Sequence, residues 1–276
     1  QREVNKIEPY VKAKGGIFVP EESIVDFKEV AAKYKEEILS LGGSIKYNSK
    51  VVEFQNLLDS EKLIFENGDS ITGDIIISAA GLYGDILAKI LKINIEKKQI
   101  LPFRGEYYLL KPDFQYLVKS LIYPVPNPDL PFLGVHFTRL IDGSVEAGPN
   151  AVLSCAREGY NWKTWNLREL YESISYSGFQ KFILNHPLIT AGELLRSLSK
   201  TIFVESLRKL IPDIKSEMLT SGPAGVRAQL MNKSGGLEQD FDIRIKGNLI
   251  SVLNAPSPAA TSSLSIAEYV FDLITK

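Results

Sequence analysis

Residues 74–91, DIIISAAGLYGDILAKIL, decide the fold class. The three isoleucines from Ile75 to Ile77 predict a strand that is buried on both faces. The small residues Ser78 to Gly81 predict a tight turn, and the apolar residues that follow recur at helical spacing. A strand, a turn of small residues and a helix are typical of a nucleotide-binding α/β unit.

Helical and strand patterns divide the rest of the chain into two regions. A helix is predicted over residues 26–41, short strands separated by prolines over 95–155, and helices over 167–211. Strands then return, and Ser257 or Thr261 is predicted to cap a final helix.

We therefore predict a mixed α/β (α+β) fold with two domains. One domain comprises residues 1–94 and 221–276, from both ends of the chain. The other, residues 95–220, is inserted between them and contains a mixed or antiparallel sheet with helices.

Composition excludes several classes of protein. The 32 basic and 33 acidic side chains give a net charge of −1, which argues against nucleic acid as a partner. A single cysteine cannot form an intrachain disulfide, and with only two histidines a Cys/His zinc site is nearly excluded. We predict no metal site, no membrane span and a cytoplasmic location.

Short catalytic motifs do not identify the chain. It contains no G-x-G-x-x-G dinucleotide turn, no phosphate-binding loop, no H-E-x-x-H zinc motif and no G-x-S-x-G elbow.

Longer stretches resemble a known family. They include GGIFVPEESIVDFKEVAAKYKEEILSLGG (15–43), AAGLYGD (79–85), LPFRGEYYLL (101–110), IYPVPNPDLPFLGVHFTRLIDGSVEAGPNAVLSCAREGY (122–160), GPAGVRAQ (222–229) and VLNAPSPAATSSLSIAEYV (252–270). Together they resemble the L-2-hydroxyglutarate dehydrogenase/oxidase family, whose members are flavoproteins of the D-amino-acid-oxidase-like superfamily.

The resemblance implies an incomplete Rossmann-like FAD-binding domain (1–94 and 221–276) and an inserted substrate-binding domain (95–220). Family members begin with a strand, a G-x-G-x-x-G turn and a helix that hold the ADP part of FAD. That segment has no counterpart here, so we expect the chain to be the C-terminal portion of such an enzyme. An FAD-binding segment or separate chain is its expected partner.

The resemblance also implies contacts with FAD. Val52 corresponds to a strand at the adenine end, and Ala79, Ala80 and Gly81 to a turn near the pyrophosphate or ribose, where small side chains let the backbone approach. A loop before the final helix corresponds to the flavin's pyrimidine edge, where helix N–H groups would stabilise negative charge. Its residues are Asn254, Ala255, Pro256, Ser257, Pro258, Ala259, Ala260 and Thr261. Without the resemblance, these segments would be interpreted as a packed turn and an ordinary helix start.

Three residues are candidates for catalysis. Oxidation of a 2-hydroxy acid removes the hydroxyl proton as hydride leaves C2 for flavin N5, and His136 has the near-neutral pKa of such a base. Arg104 and Arg227 are candidate anchors for the two carboxylates of a substrate. The alternatives are a buried structural histidine and structural ion pairs, including one between Arg104 and Glu106. Weaker candidates for the polar lining are Tyr107, Tyr123 and Thr138.

The resemblance implies an FAD-dependent oxidoreductase that converts L-2-hydroxyglutarate to 2-oxoglutarate, with oxygen or a quinone as electron acceptor. Because family members can pass electrons to membrane quinones, a peripheral location at the membrane is an alternative. Two other hypotheses stay open. The chain could belong to another enzyme of the superfamily, acting on an amino acid, an amine or glycerol phosphate. It could also be a non-catalytic fragment or subunit without the cofactor half.

Overall fold

The computed structural model describes residues 1–58, 60–125 and 134–275. Part of the 122–160 stretch that carries the resemblance therefore lies outside the described residues. The α-helices of the described part are α1 (Arg2–Ile7), α2 (Phe27–Ser40), α3 (Gly84–Ile90), α4 (Leu167–Ser175), α5 (Ser177–Asn185), α6 (Pro187–Leu198), α7 (Lys200–Leu207) and α8 (Ser263–Ile274). Its strands are β1 (Val51–Asn56), β2 (Glu61–Phe65), β3 (Ser70–Gly73), β4 (Ile76–Ser78), β5 (Gln99–Leu110), β6 (Leu121–Ile122), β7 (His136–Arg139), β8 (Val145–Gly148), β9 (Val152–Leu153), β10 (Leu219–Met231), β11 (Asp242–Lys246) and β12 (Leu249–Asn254).

The chain divides into two compact units. The first comprises residues 1–26, 103–167 and 183–227, and the second comprises residues 27–102, 168–182 and 228–276. The mixed α/β class agrees with the prediction, but four segments differ from the predicted division: residues 1–26, 95–102, 168–182 and 221–227.

The N-terminal segment 1–26 belongs to the first unit because Glu8 accepts hydrogen bonds from the backbone of Lys119 and Ser120. Residues 168–182 belong to the second unit, where the hydroxyl of Tyr176 donates to two backbone carbonyls, those of Lys97 and Met231. The function assigned to each domain stays a prediction.

The first unit contains a six-stranded sheet in the order β10-β5-β8-β7-β6, with β9 also paired to β5. The unit boundaries fall within β5 and β10. Side chains alternate between the two faces of a sheet. One face packs against α7, where Phe137 and Ala147 share a core with Phe203 and Leu207. We call this the helix-covered face.

The second unit contains two three-stranded sheets, in the orders β1-β2-β3 and β11-β12-β4. Strands β4 and β12 are parallel, with Ser78 opposite Ser251. A short 3₁₀ turn, Gly81–Tyr83, joins β4 to α3 and confirms the predicted strand, turn and helix. The core of the second unit includes Phe54, Ala88, Leu91 and Leu253.

Burial in the second unit differs from the prediction. Ile75 and Ile77 were predicted to be buried on both faces, but they are 42% and 49% exposed because no described segment covers the face from which they project. The predicted amphipathic helix forms as α2, yet none of its residues is buried. The final helix begins at Ser263 with Ser262 as its N-cap residue, so the predicted caps Ser257 and Thr261 are wrong.

Among the described residues, no helix is both long and apolar enough to cross a membrane.

Candidate active site

Four residues form a row across the face of the first unit's sheet that lies opposite the helix-covered face. His136 of β7 pairs with Gly148 of β8, and extending the β5–β8 register by one pair places Tyr107 opposite Gly148. Gly222 of β10 lies beside Tyr107, since a β-carbon built on Gly222 would be 2.9 Å from the Tyr107 carbonyl oxygen. Paired residues project their side chains from the same face. This central row therefore presents an imidazole and a phenol on the two sides of Gly148, and Gly222 follows the phenol.

His136 is held in one orientation. Its Nδ1 lies 3.2 Å from the carbonyl oxygen of Gly134. Because a carbonyl can only accept a hydrogen bond, Nδ1 carries the proton and Nε2 keeps its lone pair. The imidazole also stacks on Tyr123, with ring centroids 4.3 Å apart and planes 27° apart. Among the described residues, Nε2 has no hydrogen-bond partner.

The environment of His136 favours a neutral imidazole. Its residue surface is only 8% exposed, and this burial lowers the pKa of the imidazole below its ordinary value. The hydrogen bond from Nδ1 to the Gly134 carbonyl opposes that shift, whereas the positive charge of Arg227 adds to it. A neutral imidazole with a free Nε2 can accept a proton.

Arg227 is exposed on β10. Its charge acts on His136 and lowers the pKa of the Tyr107 phenol and the Glu193 carboxyl against the larger effect of burial. Within the described part of the chain, its guanidinium forms no hydrogen bond or ion pair. A guanidinium without a partner in the described structure can bind a carboxylate through two parallel hydrogen bonds.

Arg104 has a different environment. It shares a strand face with Tyr108, which packs edge to face on Phe203 at 4.8 Å, so its side chain projects from the helix-covered face. The residue is 0% exposed, its Nε donates to Glu106 at 3.1 Å, and its guanidinium lies 4.3 Å from the ring centroid of Trp162. Nη2 is also 3.0 Å from Glu106 but is not aligned for a hydrogen bond. This placement favours the structural ion pair.

Glu106 connects three segments behind the central row. Its carboxylate accepts hydrogen bonds from Asn150 Nδ2 at 2.8 Å and from the Ser197 hydroxyl of α6. Its backbone N–H donates to Asn150 Oδ1 at 2.7 Å. Because Tyr107 follows Glu106 and Asn150 lies two residues after Gly148, this network holds the backbone of both central strands of the row.

The proposed cofactor residues lie in the second unit. Strands β4 and β12 are parallel, so their carboxyl ends lie at the same edge of the sheet. Ala79 and Gly81 are exposed after β4, and Gly81 has φ +52° with no atom within 4 Å of a built β-carbon. Ligands of α/β folds bind at this edge.

The remaining cofactor candidates have mixed placements. Asn254 is buried, and its side chain donates to the carbonyls of Glu238 and Asp240, which makes it a structural residue. The rest of the predicted loop forms turns of its own before α8 begins. Its exposed residues are 255, 257, 258, 260 and 261. Val52 is 43% exposed on β1, which belongs to the other sheet.

The exposed residues that follow β4 and β12 fit a dinucleotide cofactor at this edge of the sheet. They are small where the cofactor must come close to the backbone. The hydroxyls of Ser78 and Ser251, side by side near this edge, are buried and have no hydrogen-bond partner in the described structure.

Sequence reasoning missed the two glycines of the central row and the linking role of Glu106. A glycine inside a strand is a signal of close backbone approach or open space, and it applies to Gly148 and Gly222.

Comparison with known proteins agrees with this architecture. The family described as FAD dependent oxidoreductase (DAO) matches residues 1–273. L-2-hydroxyglutarate dehydrogenase from Indibacter alkaliphilus is 47% identical over 99% of this chain and 68% of its own length. The mitochondrial enzyme of that name from Nematostella vectensis is 40% identical over 99% of this chain and 63% of its own length. The chain thus spans about two thirds of these relatives.

Solved structures show the same fold. The L-alpha-glycerophosphate oxidase of Mycoplasma pneumoniae, with FAD bound, superposes with a TM-score of 0.70 at 18% identity, over 100% of this chain and 63% of that one. L-proline dehydrogenase from P. horikoshii superposes with a TM-score of 0.62 at 14% identity, over 99% of this chain and 63% of that one. The chain therefore belongs to the FAD-dependent oxidoreductase family, in which its relatives include the L-2-hydroxyglutarate dehydrogenases.

Proposed function

We propose that the chain carries the substrate site of an FAD-dependent enzyme that oxidises L-2-hydroxyglutarate to 2-oxoglutarate. One observation carries this proposal. His136 is buried and its neutral form is favoured, and within the described part of the chain neither its Nε2 nor the guanidinium of Arg227, whose charge acts on it, has a hydrogen-bond partner. A base beside a carboxylate anchor is what a 2-hydroxy acid needs, and the names of the relatives support this substrate.

The residues of the chain have separate roles in this reaction. Bound FAD supplies the acceptor, at N5, for the hydride from C2. His136 Nε2 accepts the proton of the hydroxyl group, so that the C2–O bond becomes a carbonyl. Gly134 and Tyr123 hold the imidazole in position, burial keeps its pKa low, and Arg227 binds a substrate carboxylate. Arg104 has a structural role through its ion pair with Glu106.

The turn Ala79–Gly81 and the exposed residues of the segment 255–261 would hold FAD, together with a partner that supplies a G-x-G-x-x-G turn. Three features of the second unit support such a partner. Strand β4 has no neighbour on its outer side among the described strands, its residue Ile77 is half exposed, and α2 has no buried residue. Parallel sheets normally have both faces covered. The partner is a further segment of the same polypeptide or a separate chain.

The same exposed surfaces favour a second candidate function, in which this chain is a subunit that is inactive by itself. The electron acceptor, oxygen or a quinone, and a location in the cytoplasm or peripherally at the membrane stay predictions.

Anaerobic reduction of the flavin tests the proposed function. The FAD-loaded protein is mixed with L-2-hydroxyglutarate, and the visible flavin absorbance is expected to bleach. Bleaching by glycine, sarcosine or glycerol 3-phosphate, with none by L-2-hydroxyglutarate, would instead support another activity of the superfamily.

Variants of the two histidines localise the base. His136→Asn is expected to slow bleaching by at least about a hundredfold, since general-base catalysis contributes roughly 10²–10⁴. His186→Asn, the matched control at the start of α6, is expected to leave the rate unchanged. Equal rates in the two variants would remove His136 from the mechanism.

A further inference from the structure

We infer that Tyr107 selects dicarboxylate substrates by donating a hydrogen bond from its hydroxyl to the carboxylate remote from C2. This inference rests on the proposed function, because it assumes that the reacting hydroxyl lies at His136. It assigns the second carboxylate to a residue of the central row.

The buried Arg104 cannot serve this second carboxylate while the substrate lies at His136. The two side chains project from opposite faces of the sheet, and Arg104 is bonded to Glu106 on the helix-covered face. Tyr107, in contrast, shares the face of His136 and lies two strands away across Gly148.

The two side chains offer one polar group for each end of a dicarboxylate. Neighbouring strands are about 4.8 Å apart, so the backbones at His136 and Tyr107 are separated by roughly 10 Å, with β8 between them. A 2-hydroxy dicarboxylate has a hydroxyl group for the imidazole at one end and a carboxylate for the phenol at the other.

Glycine at position 148 lets the Tyr107 ring pack close against β8. A β-carbon there would lie 2.9 Å from Cδ1 of Tyr107 and 2.8 Å from the carbonyl oxygen of Glu106. Any larger residue at this position would therefore displace the phenol from its place in the row.

The Tyr107 hydroxyl is suited to donate. It has no hydrogen-bond partner among the described residues, so it is available to a ligand. Burial raises the pKa of the phenol, which keeps it protonated at neutral pH. The nearby charge of Arg227 partly opposes this shift and also attracts the anionic substrate.

Tyr107→Phe removes only the hydroxyl, and Tyr108→Phe is the matched control on the helix-covered face. Each variant is assayed with L-2-hydroxyglutarate and with L-2-hydroxypentanoate, which has the same five carbons but a methyl group in place of the remote carboxylate. For Tyr107→Phe we expect kcat/KM to fall about ten- to a hundredfold for the dicarboxylate, mainly through KM. For the monocarboxylate we expect a change of less than about twofold, as for Tyr108→Phe with both substrates.

Calorimetric binding of 2-oxoglutarate to the FAD-loaded protein gives a readout that is independent of turnover. Tyr107→Phe is expected to weaken this binding about tenfold or more. Equal binding by the variant and the parent, or equal losses with both hydroxy acids, would overturn the inference even if the parent protein oxidises L-2-hydroxyglutarate. An inactive parent whose 2-oxoglutarate binding still depends on Tyr107 would instead contradict the proposed function and leave Tyr107 as a dicarboxylate contact.

Discussion

Replacement of Arg104 by methionine separates a structural ion pair from a substrate anchor. The substitution keeps most of the side-chain volume but removes the cation that lies beside the Glu106 carboxylate. Breaking a buried ion pair costs about 3–5 kcal/mol of stability. Glu106 is 21% exposed and keeps the hydrogen bonds from Asn150 and Ser197, so we expect a loss near the lower end, about 3 kcal/mol.

The free energy of unfolding, from urea titration, measures this loss. A loss of that size lowers Tm by about 6–12 °C in a protein of this length. Arg168→Met is the control, because Arg168 pairs with Glu172 while its side chain is 87% exposed, and its replacement is expected to change stability by less than about 0.5 kcal/mol. Combining Arg104→Met with Glu106→Gln is expected to recover part of the loss, because no uncompensated charge stays behind.

The KM for L-2-hydroxyglutarate distinguishes the two roles of Arg104. We expect the folded Arg104→Met protein to keep its KM within about threefold. A loss of stability below about 1 kcal/mol together with a KM raised tenfold would refute the structural interpretation and make Arg104 a substrate anchor.

Three further predictions follow from single contacts. The acid limb of the kcat/KM profile is expected below the ordinary histidine pKa of about 6.5, because burial lowers the pKa of His136. Arg227→Met is expected to move this limb to higher pH, because it removes a positive charge that acts on His136. A limb that stays in place would show that the charge of Arg227 does not act on the titrating group. Gly222→Ala is expected to lower the free energy of unfolding in urea by about 1–3 kcal/mol, because the new β-carbon would lie 2.9 Å from a backbone carbonyl oxygen. The control Gly225→Ala is expected to cost little, since a β-carbon there has no atom within 4 Å. Equal costs would contradict the close approach of β10 and β5 at Gly222. Tyr176→Phe is expected to lower the free energy of unfolding by about 1–3 kcal/mol in the same assay, because the hydroxyl bonds to two backbone carbonyls. Burial raises the pKa of this phenol to about 12, so the hydroxyl keeps its proton at neutral pH. An unchanged stability would show that these bonds contribute little.

Local patterns in the sequence predict local elements well. The strand, turn and helix of residues 74–91 form as expected because each depends on neighbours in the chain. The exposure of Ile77 and of α2 could not be predicted, since burial depends on which other segments pack against them. An apolar pattern shows which face of an element can be buried. It does not show which distant segment packs against that face.

The candidate site shows the same limit. Residue type and family resemblance selected His136 and Arg227 as candidates, and their roles stay predictions. The separation of Arg104 from His136 could not be predicted, because the face that a strand residue occupies depends on register, and a shift of one residue exchanges the two faces. The positions of Gly148 and Tyr107 in the row also depend on pairing between distant strands.

Imidazole NMR of the FAD-loaded protein tests most directly whether the central row is the substrate site. The chain has only two histidines, so His186→Asn assigns both sets of imidazole signals. Under anaerobic titration with 2-oxoglutarate, the signals of His136 are expected to shift and saturate while those of His186 stay in place. Saturable binding that leaves the His136 signals unchanged would show that the substrate binds elsewhere and not at the central row.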